Sequence, residues 1–308
     1  MSSIRSEASR IAKSVLRRVP VLKPWIARRE RQTFRFPPGH FYSPIPDVDQ
    51  ILAQSDRIFA PASATVPAVA LNSQEQLALL DQLAFYIADQ PFADSPTPDL
   101  RHYFDNPYYR HADGLFLHSM MRHFRPKRII EVGSGFSSAL MLDTDDRFLN
   151  RSIQFTFVEP NTQRLRQLLR PGDSDRTKIL EKEVQQVPLE LFTSLAAGDM
   201  LFVDSSHVAK VGSDLNHLLF RVLPVLHVGV IVHFHDIFYP FEYPKDWIIG
   251  GIAWNEAYLL RAFLQFNDTF GILLFNDYLG QFHREALQQR APMALRDTGG
   301  SLWLHRKS

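Results

Sequence analysis

Arg128-Ile129-Ile130-Glu131-Val132-Gly133-Ser134-Gly135-Phe136-Ser137-Ser138 is the stretch on which the fold turns. It reads as a short apolar strand entering a glycine turn, followed by serines suited to the start of a helix. The glycines let the chain turn sharply and bring backbone close to a ligand. The helix that follows presents unpaired N–H groups at its first turn.

From this turn onward the pattern alternates. Strands are expected at 128–133, 155–159, 177–181, 200–204, 229–235, 271–275 and 301–305. Helices are expected near 137–148, 161–170, 188–196, 211–223 and 255–266, with a weaker one near 281–290. Met200-Leu201-Phe202-Val203 and Gly229-Val230-Ile231-Val232 are continuously apolar, as strands covered on both faces should be. Strands alternating with helices predict an α/β, Rossmann-like, mostly parallel sheet sandwiched by helices. Before the turn, residues 110–123 predict a helix, and Ser73-Gln74-Glu75-Gln76 reads as a capping box opening another that ends before Pro91. These form an N-terminal helical extension.

Composition narrows the functional classes. The 308 residues hold no cysteine, which removes disulfides, thiolate zinc sites and cysteine nucleophiles together. The net charge of +1 makes no general case for nucleic acid. Charge is unevenly placed, however. Residues 1–40 hold ten Lys/Arg against two Asp/Glu, a net of +8, which leaves −7 on residues 41–308. In that arm Ile4, Ala8, Ile11, Val15 and Val19 fall at helical spacing among basic residues, and Trp25 follows. Such a segment suits peripheral contact of residues 1–31 with an anionic membrane; packing on the body or on a partner is the plainer alternative. No apolar run reaches the ~20 residues of a membrane span, and no signal-peptide core is evident. The expectation is a cytoplasmic protein, peripheral at most to the inner membrane surface. Three regions are expected: the arm at 1–40, an accessory region at 41–105, and a main domain at 106–308.

In an open α/β sheet, ligands bind beyond the carboxyl ends of the strands. The first strand end offers Glu131, Gly133, Ser134 and Gly135. The second ends in Glu159, 24 residues after Gly135, an offset at which a carboxylate can bind both hydroxyls of a ribose. Gln185 follows the third. The fourth ends at Asp204-Ser205-Ser206-His207 and the fifth at His233-Phe234-His235-Asp236.

Glu131-x-Gly133-x-Gly135 with an acidic second strand end resembles the class I S-adenosylmethionine (SAM) dependent methyltransferases. The stretches LFVDSSH (201–207) and GVIVHFHDIFYPFEYP (229–244) resemble a bacterial subgroup of small-molecule O-methyltransferases, and GHFYSPIPD (39–47) resembles that subgroup's lead-in. The likeness covers roughly Asn106 to Leu304. Ser137 stands where many members carry a third glycine. A dinucleotide site would want G-x-G-x-x-G, and position 138 is Ser138, so SAM is the favoured cofactor.

The resemblance implies that Gly133, Ser134 and Gly135 approach the methionine part of SAM and that Glu131 attracts its amino group. It implies that Glu159 holds the ribose and that Gln185 lies near the adenine. In metal-dependent relatives, Asp204 and the pair His235-Asp236 occupy the positions of the ligands to Mg²⁺. A histidine in that set opens it to other divalent metals. Such an ion would activate an acceptor hydroxyl, on a sugar or secondary metabolite. Without a metal, His207 or His235 would serve as general base. His233 reads as structural. Two alternatives stand beside methyl transfer: a metal-dependent oxygenase on the same fold, and a non-catalytic SAM-fold scaffold held at a membrane or assembly. The aromatic run Phe238–Pro244 reads as an acceptor pocket or lid, or as ordinary packing, with Gly250-Gly251 as its hinge. Asn255 and Glu256 read as helix caps, and Tyr109, Arg110 and Asp113 as site or surface residues. Nothing in the sequence decides for or against an oligomer.

Overall fold

The computed structural model describes residues 35–308. The basic amphipathic arm read over residues 1–31 lies outside them. The two long helices ahead of the sheet are α1 (Ser73–Ala88) and α2 (His111–Phe124). The strands are β1 (Arg128–Val132), β2 (Gln154–Val158), β3 (Thr177–Leu180), β4 (Met200–Val203), β5 (Ile231–Phe234), β6 (Phe270–Phe275) and β7 (Leu302–Arg306). They form one sheet in the order β3-β2-β1-β4-β5-β7-β6. β3 to β5 pair in parallel, while β7 runs antiparallel between β5 and β6. The α/β, mostly parallel seven-stranded fold expected from the sequence is the one observed.

β4 and β5 are buried along their whole length. That is why β4 is continuously apolar and β5 is apolar apart from His233, rather than alternating. The strand order reverses between β1 and β4, so their carboxyl ends diverge and leave a crevice. Helix α3 (Phe136–Phe148) leaves β1 directly through Gly135, and α4 (Glu256–Leu264) precedes β6.

Several local expectations change. The helix read over 211–223 breaks into a short turn at Asp214–His217, a wide π turn at Leu218–Val222 and a 3-10 turn at Leu223–Val225. Pro224 has no N–H to continue a regular ladder. The helix near 281–290 is two, Asn276–Phe282 and Arg284–Arg290, parted at His283. The capping box at Ser73 does not form. Asn72 is the cap, in a left-handed conformation without a side-chain capping bond; its amide donates to the Ile272 carbonyl (3.1 Å) instead. Gln76 instead donates to the Leu71 carbonyl (2.6 Å) and accepts from Phe275 N–H (2.8 Å), tying α1 to β6.

The aromatic run after β5 is packing rather than lid. Tyr239, Phe241 and Tyr243 are all buried. Tyr239 meets the rings of Phe275, Tyr278 and Phe282, and Tyr243 meets Trp254 and Tyr258.

The chain divides into two compact units. Residues 62–244 and 254–308 form the sheet-bearing unit, so residues 62–105 of the accessory region belong with it. The smaller unit holds residues 35–61 and 245–253. Within it, Asp47 caps the helix Val48–Ala53 by accepting from Asp49 and Gln50 N–H, and the Lys245 ammonium lies 5.8 Å from the Phe59 ring centre. Gly250 and Gly251, read as a hinge, close the short helix Lys245–Ile249 through N–H bonds to Asp246 and Ile248. No helix among the described residues is long and apolar enough to cross a membrane.

Candidate active site

The glycine turn is shaped by contact with the next strand over. Gly133 has φ +85°, and a Cβ there would sit 1.8 Å from the Asp204 carbonyl oxygen. Asp204 N–H in turn bonds the Val132 carbonyl at 2.8 Å. The first turn and the end of β4 are thus in direct backbone contact, which only glycine allows.

Glu131 holds this turn from beneath. It is fully buried, Ser137 Oγ donates to its Oε1 (2.5 Å), and Ser138 Oγ donates to its Oε2. Ser138 Oγ also accepts from Gly135 N–H at 3.0 Å. Burial pushes the Glu131 carboxyl up to about 8, against the opposing serine hydrogen bonds. Both oxygens are engaged and Glu131 does not line the cavity. The structure therefore ties its carboxyl to the two serines of the loop and leaves it outside the cavity lining. The serines that depart from the triple-glycine pattern are the residues that satisfy it.

A cavity opens above the turn, lined by Gly133, Ser134, Gly135, Glu159 and Asp204, together with Tyr108 and Arg164. Glu159 is half-buried at the end of β2 and accepts from Ser134 N–H (3.1 Å) and Asn161 N–H (2.7 Å). Gln185 is not in this cavity; its amide donates to the Gly212 carbonyl at 2.7 Å. Tyr108 and Arg164 escaped the sequence reading. The Arg164 guanidinium stacks 3.8 Å from the Tyr108 ring centre, yet an arginine on the helix after β2 carries no pattern that separates it from a solvated one.

Asp204 joins this cavity to a second group of side chains. His235 Nδ1 lies 3.5 Å from Asp204 Oδ1 and 3.7 Å from Asp236 Oδ1, and has no hydrogen-bond partner. His235 Nε2 faces Asp113 Oδ2 at 3.4 Å. Asp113 is itself fixed by Ser301 Oγ (2.6 Å), Asn276 Nδ2 (3.1 Å) and Gly300 N–H (3.3 Å). With Asp113 accepting from Nε2–H, Nδ1 points between two carboxylates. Burial disfavours the ring's charge, but Asp236 and Asp204 hold its pKa well above the usual histidine value, so an ion bound there would take the place of the Nδ1 proton. An orphaned, buried imidazole nitrogen flanked by two carboxylate oxygens fits a divalent cation, and the carboxylate behind it is the usual orienting partner of a histidine ligand. Asp204, His235 and Asp236 lie close enough to share one ion.

His207 occupies the other side. Its Nδ1 is 2.7 Å from Glu256 Oε2, and its Nε2 is 3.3 Å from Asp204 Oδ1 and 3.6 Å from Asp236 Oδ2. Its ring lies 4.2 Å from that of Trp254. Burial disfavours its charge, but Asp204 and Glu256 outweigh that and hold it up at about 10. Both ring nitrogens face carboxylates, so the resting imidazole offers no free lone pair to an acceptor. Burial would raise Asp204, but the imidazoles of His235 and His207 hold it well below the usual carboxylate range. Burial pushes Asp236 and Glu256 up. His207 and Asp236 both adopt left-handed backbone, with φ +59° and +58°. Such strain in non-glycine residues collects where a site needs particular directions.

Glu256 is the largest omission of the sequence reading. It is buried beside His207 rather than capping α4. Asn255 also forms no side-chain cap; its amide oxygen accepts from Ala209 N–H. His233 is structural, as read: it stacks 3.9 Å from Phe202 and bonds Ser301 at 2.9 Å.

The profile of a methyltransferase-domain family matches residues 130–237, the span from β1 to just past Asp236. An uncharacterized protein of Archaeoglobus fulgidus is 33% identical over 165 residues, covering 52% of this chain and 73% of that protein. Among solved structures, the S-adenosylhomocysteine-bound methyltransferase PaMTH1 of Podospora anserina is similar at 16% identity. It covers 86% of this chain and 98% of its own, with a TM-score of 0.43. The SAM-bound O-methyltransferase TomG of Streptomyces achromogenes is similar at 15% identity over 76% of this chain and 90% of its own, with a TM-score of 0.39. The chain belongs to the class I SAM-dependent methyltransferase family. It is accordingly an enzyme, a methyltransferase.

Proposed function

We propose that this enzyme transfers the SAM methyl group to a hydroxyl of a small molecule, such as a sugar or secondary metabolite, with help from a divalent cation. The observation that carries this reading is the double placement of Asp204. It lines the cavity above the glycine turn and belongs to the Asp204–His235–Asp236 cluster. A cofactor in the cavity and a hydroxyl at the cluster would therefore be neighbours.

In this reading SAM supplies an electrophilic methyl on its sulfonium. Gly133 to Gly135 leave space for it, and Glu159 accepts from its ribose hydroxyls. A cation held by Asp204, His235 Nδ1 and Asp236 would lower the pKa of an acceptor hydroxyl. Asp113 keeps the His235 proton on Nε2. Glu256 and His207 hold Asp204 in place, so the His207 base considered from sequence gives way to a positioning role. Catalysis is then largely orientation of two reactants. The carboxylates Asp113, Asp204, Asp236 and Glu256 outnumber the two imidazoles, which leaves room for positive charge.

The test is calorimetric SAM binding and labelled methyl transfer over a panel of hydroxylated acceptors, with EDTA and with Mg²⁺ or Mn²⁺ restored. Turnover lost to EDTA and recovered with metal, with SAM binding little changed, is the expected result. Undiminished turnover in EDTA would remove the cation from the mechanism, and absent SAM binding would overturn the reading. The basic sequence of residues 1–31 is proposed to bring the enzyme to anionic membrane; vesicle sedimentation with phosphatidylserine, lost on deleting it, checks this.

A further inference from the structure

Asp94, Asp105 and His111 form a second group whose ligand atoms all lie within 4.8 Å of one another, and the methyl-transfer site uses none of them. The two aspartates are brought side by side by backbone pairing: Phe104 N–H bonds the Ala93 carbonyl and Asp105 N–H the Asp94 carbonyl, both at 2.9 Å. His111 is the first residue of α2 and is 96% buried, with a relative exposure of 4%. Neither of its ring nitrogens has a hydrogen-bond partner. A buried imidazole with both nitrogens unpaired is costly unless something else meets it. Its Nε2 is aimed into the cluster, 3.5 Å from Asp105 Oδ1. The edge of a tetrahedral site with ligands ~2.0 Å from zinc is about 3.3 Å. That pair is already near coordinating separation, and Asp94 is exposed enough to swing inward.

A cation already sits at these carboxylates. Arg296 Nη1 lies 2.6 Å from Asp94 Oδ1 and Nη2 lies 3.7 Å from Asp105 Oδ1. The Arg296 side chain is 44% exposed and can leave toward solvent. It does not satisfy His111, whose Nδ1 and Nε2 both lack a hydrogen-bond partner with Arg296 in place.

We propose that Asp94, Asp105 and His111 form a second divalent transition-metal site, of the zinc or manganese class, in which the ion displaces Arg296. One imidazole and two carboxylates suit such ions better than Mg²⁺ or Ca²⁺. An ion there would pin the paired 93–94 and 104–105 segments to the start of α2, the helix that carries Asp113.

The experiment titrates Co²⁺ into metal-free full-length protein in the Asp236→Asn background, so that the first cluster does not contribute, with calorimetry and visible absorption as readouts. One saturable equivalent with a d–d band is expected. Adding Asp94→Asn and Asp105→Asn, both at exposed positions, should weaken it at least roughly tenfold, as expected for lost ligands. Adding Arg296→Ala instead should tighten it roughly threefold or more, because a competing cation is gone. Unchanged affinity in the aspartate variant, or weaker binding in the arginine variant, would overturn the site and leave an ordinary surface ion pair.

Discussion

Gly133→Ala is the most informative single change, because its cost separates into two parts that other positions isolate. The first part is conformational: alanine at φ +85° costs ~1–2 kcal/mol. Gly172 has the same φ, +86°, and a Cβ there would meet nothing within 4 Å. Gly172→Ala therefore reports the backbone cost alone. The second part is steric. At Gly133 the new Cβ lies 1.8 Å from the Asp204 carbonyl oxygen and 2.8 Å from its carbon. Both atoms are backbone, so the ends of β1 and β4 must part. That movement strains or breaks the Asp204 N–H bond to Val132, worth ~1 kcal/mol. The sum is roughly 2–3 kcal/mol for Gly133→Ala against ~1–2 for Gly172→Ala. At ~2–4 °C per kcal/mol for a domain of this size, Gly133→Ala should melt clearly below the control. Displacing Asp204 also moves a cavity wall, so SAM affinity by calorimetry should fall at least roughly tenfold in Gly133→Ala and stay unchanged in Gly172→Ala. Equal melting temperatures for the two variants, or wild-type SAM affinity in Gly133→Ala, would refute the claim that this glycine exists for contact with the fourth strand end.

Two further outcomes follow from the buried carboxylates. Glu131 has a folded pKa raised to about 8 from 4.5, so the folded state favours its protonated form. Its stabilising contribution is full below the unfolded pKa and is lost as pH rises through about 8. Chemical denaturation should show wild-type stability declining between ~pH 5 and 8, and Glu131→Gln should flatten that slope while keeping the fold; an identical pH profile in the variant would assign the slope elsewhere. Asp113→Asn should leave SAM affinity intact while reducing metal affinity or turnover roughly 10–100-fold, since Asp113 orients His235 rather than lining the cavity. Restoration by Asp113→Glu, or a parallel loss of SAM binding, would distinguish orientation from general damage.

The sheet was legible because physical requirements wrote it directly into the chain. Strands buried on both faces must be largely apolar, and such runs end where the backbone leaves the core. Asp204, His235 and Asp236 stand at those ends, so they could be read together before any coordinates. The roles of the partners behind them could not. Asp113 lies on α2 and Glu256 at the start of α4, where an acidic residue in the first turn is ordinarily explained by the helix dipole. Only packing reveals that each instead reaches a histidine from another element, across 122 residues for Asp113 and 49 for Glu256. Gln185 erred in the opposite direction: its place after β3 matched the family layout, but its amide was spent on the Gly212 carbonyl.

Glu131 shows why a strand-end position is weaker evidence than a strand-end environment. A carboxylate in an apolar strand needs a partner, and sequence alone leaves open whether that partner is a ligand or the protein. Ser137 and Ser138 decide it here. Replacing a third glycine with serine removes some backbone freedom and supplies a hydroxyl, so the turn is braced by side chains rather than left bare. In the methyl-transfer reading proposed above, the cofactor contacts would fall to the backbone of residues 133–135 and to Glu159, while Glu131 sets the shape in which they are presented. The same division runs through the rest of the site. Residues facing the cavity or the cluster are few, and each is held by a buried residue behind it: Glu131 behind the turn, Asp113 behind His235, Glu256 behind His207.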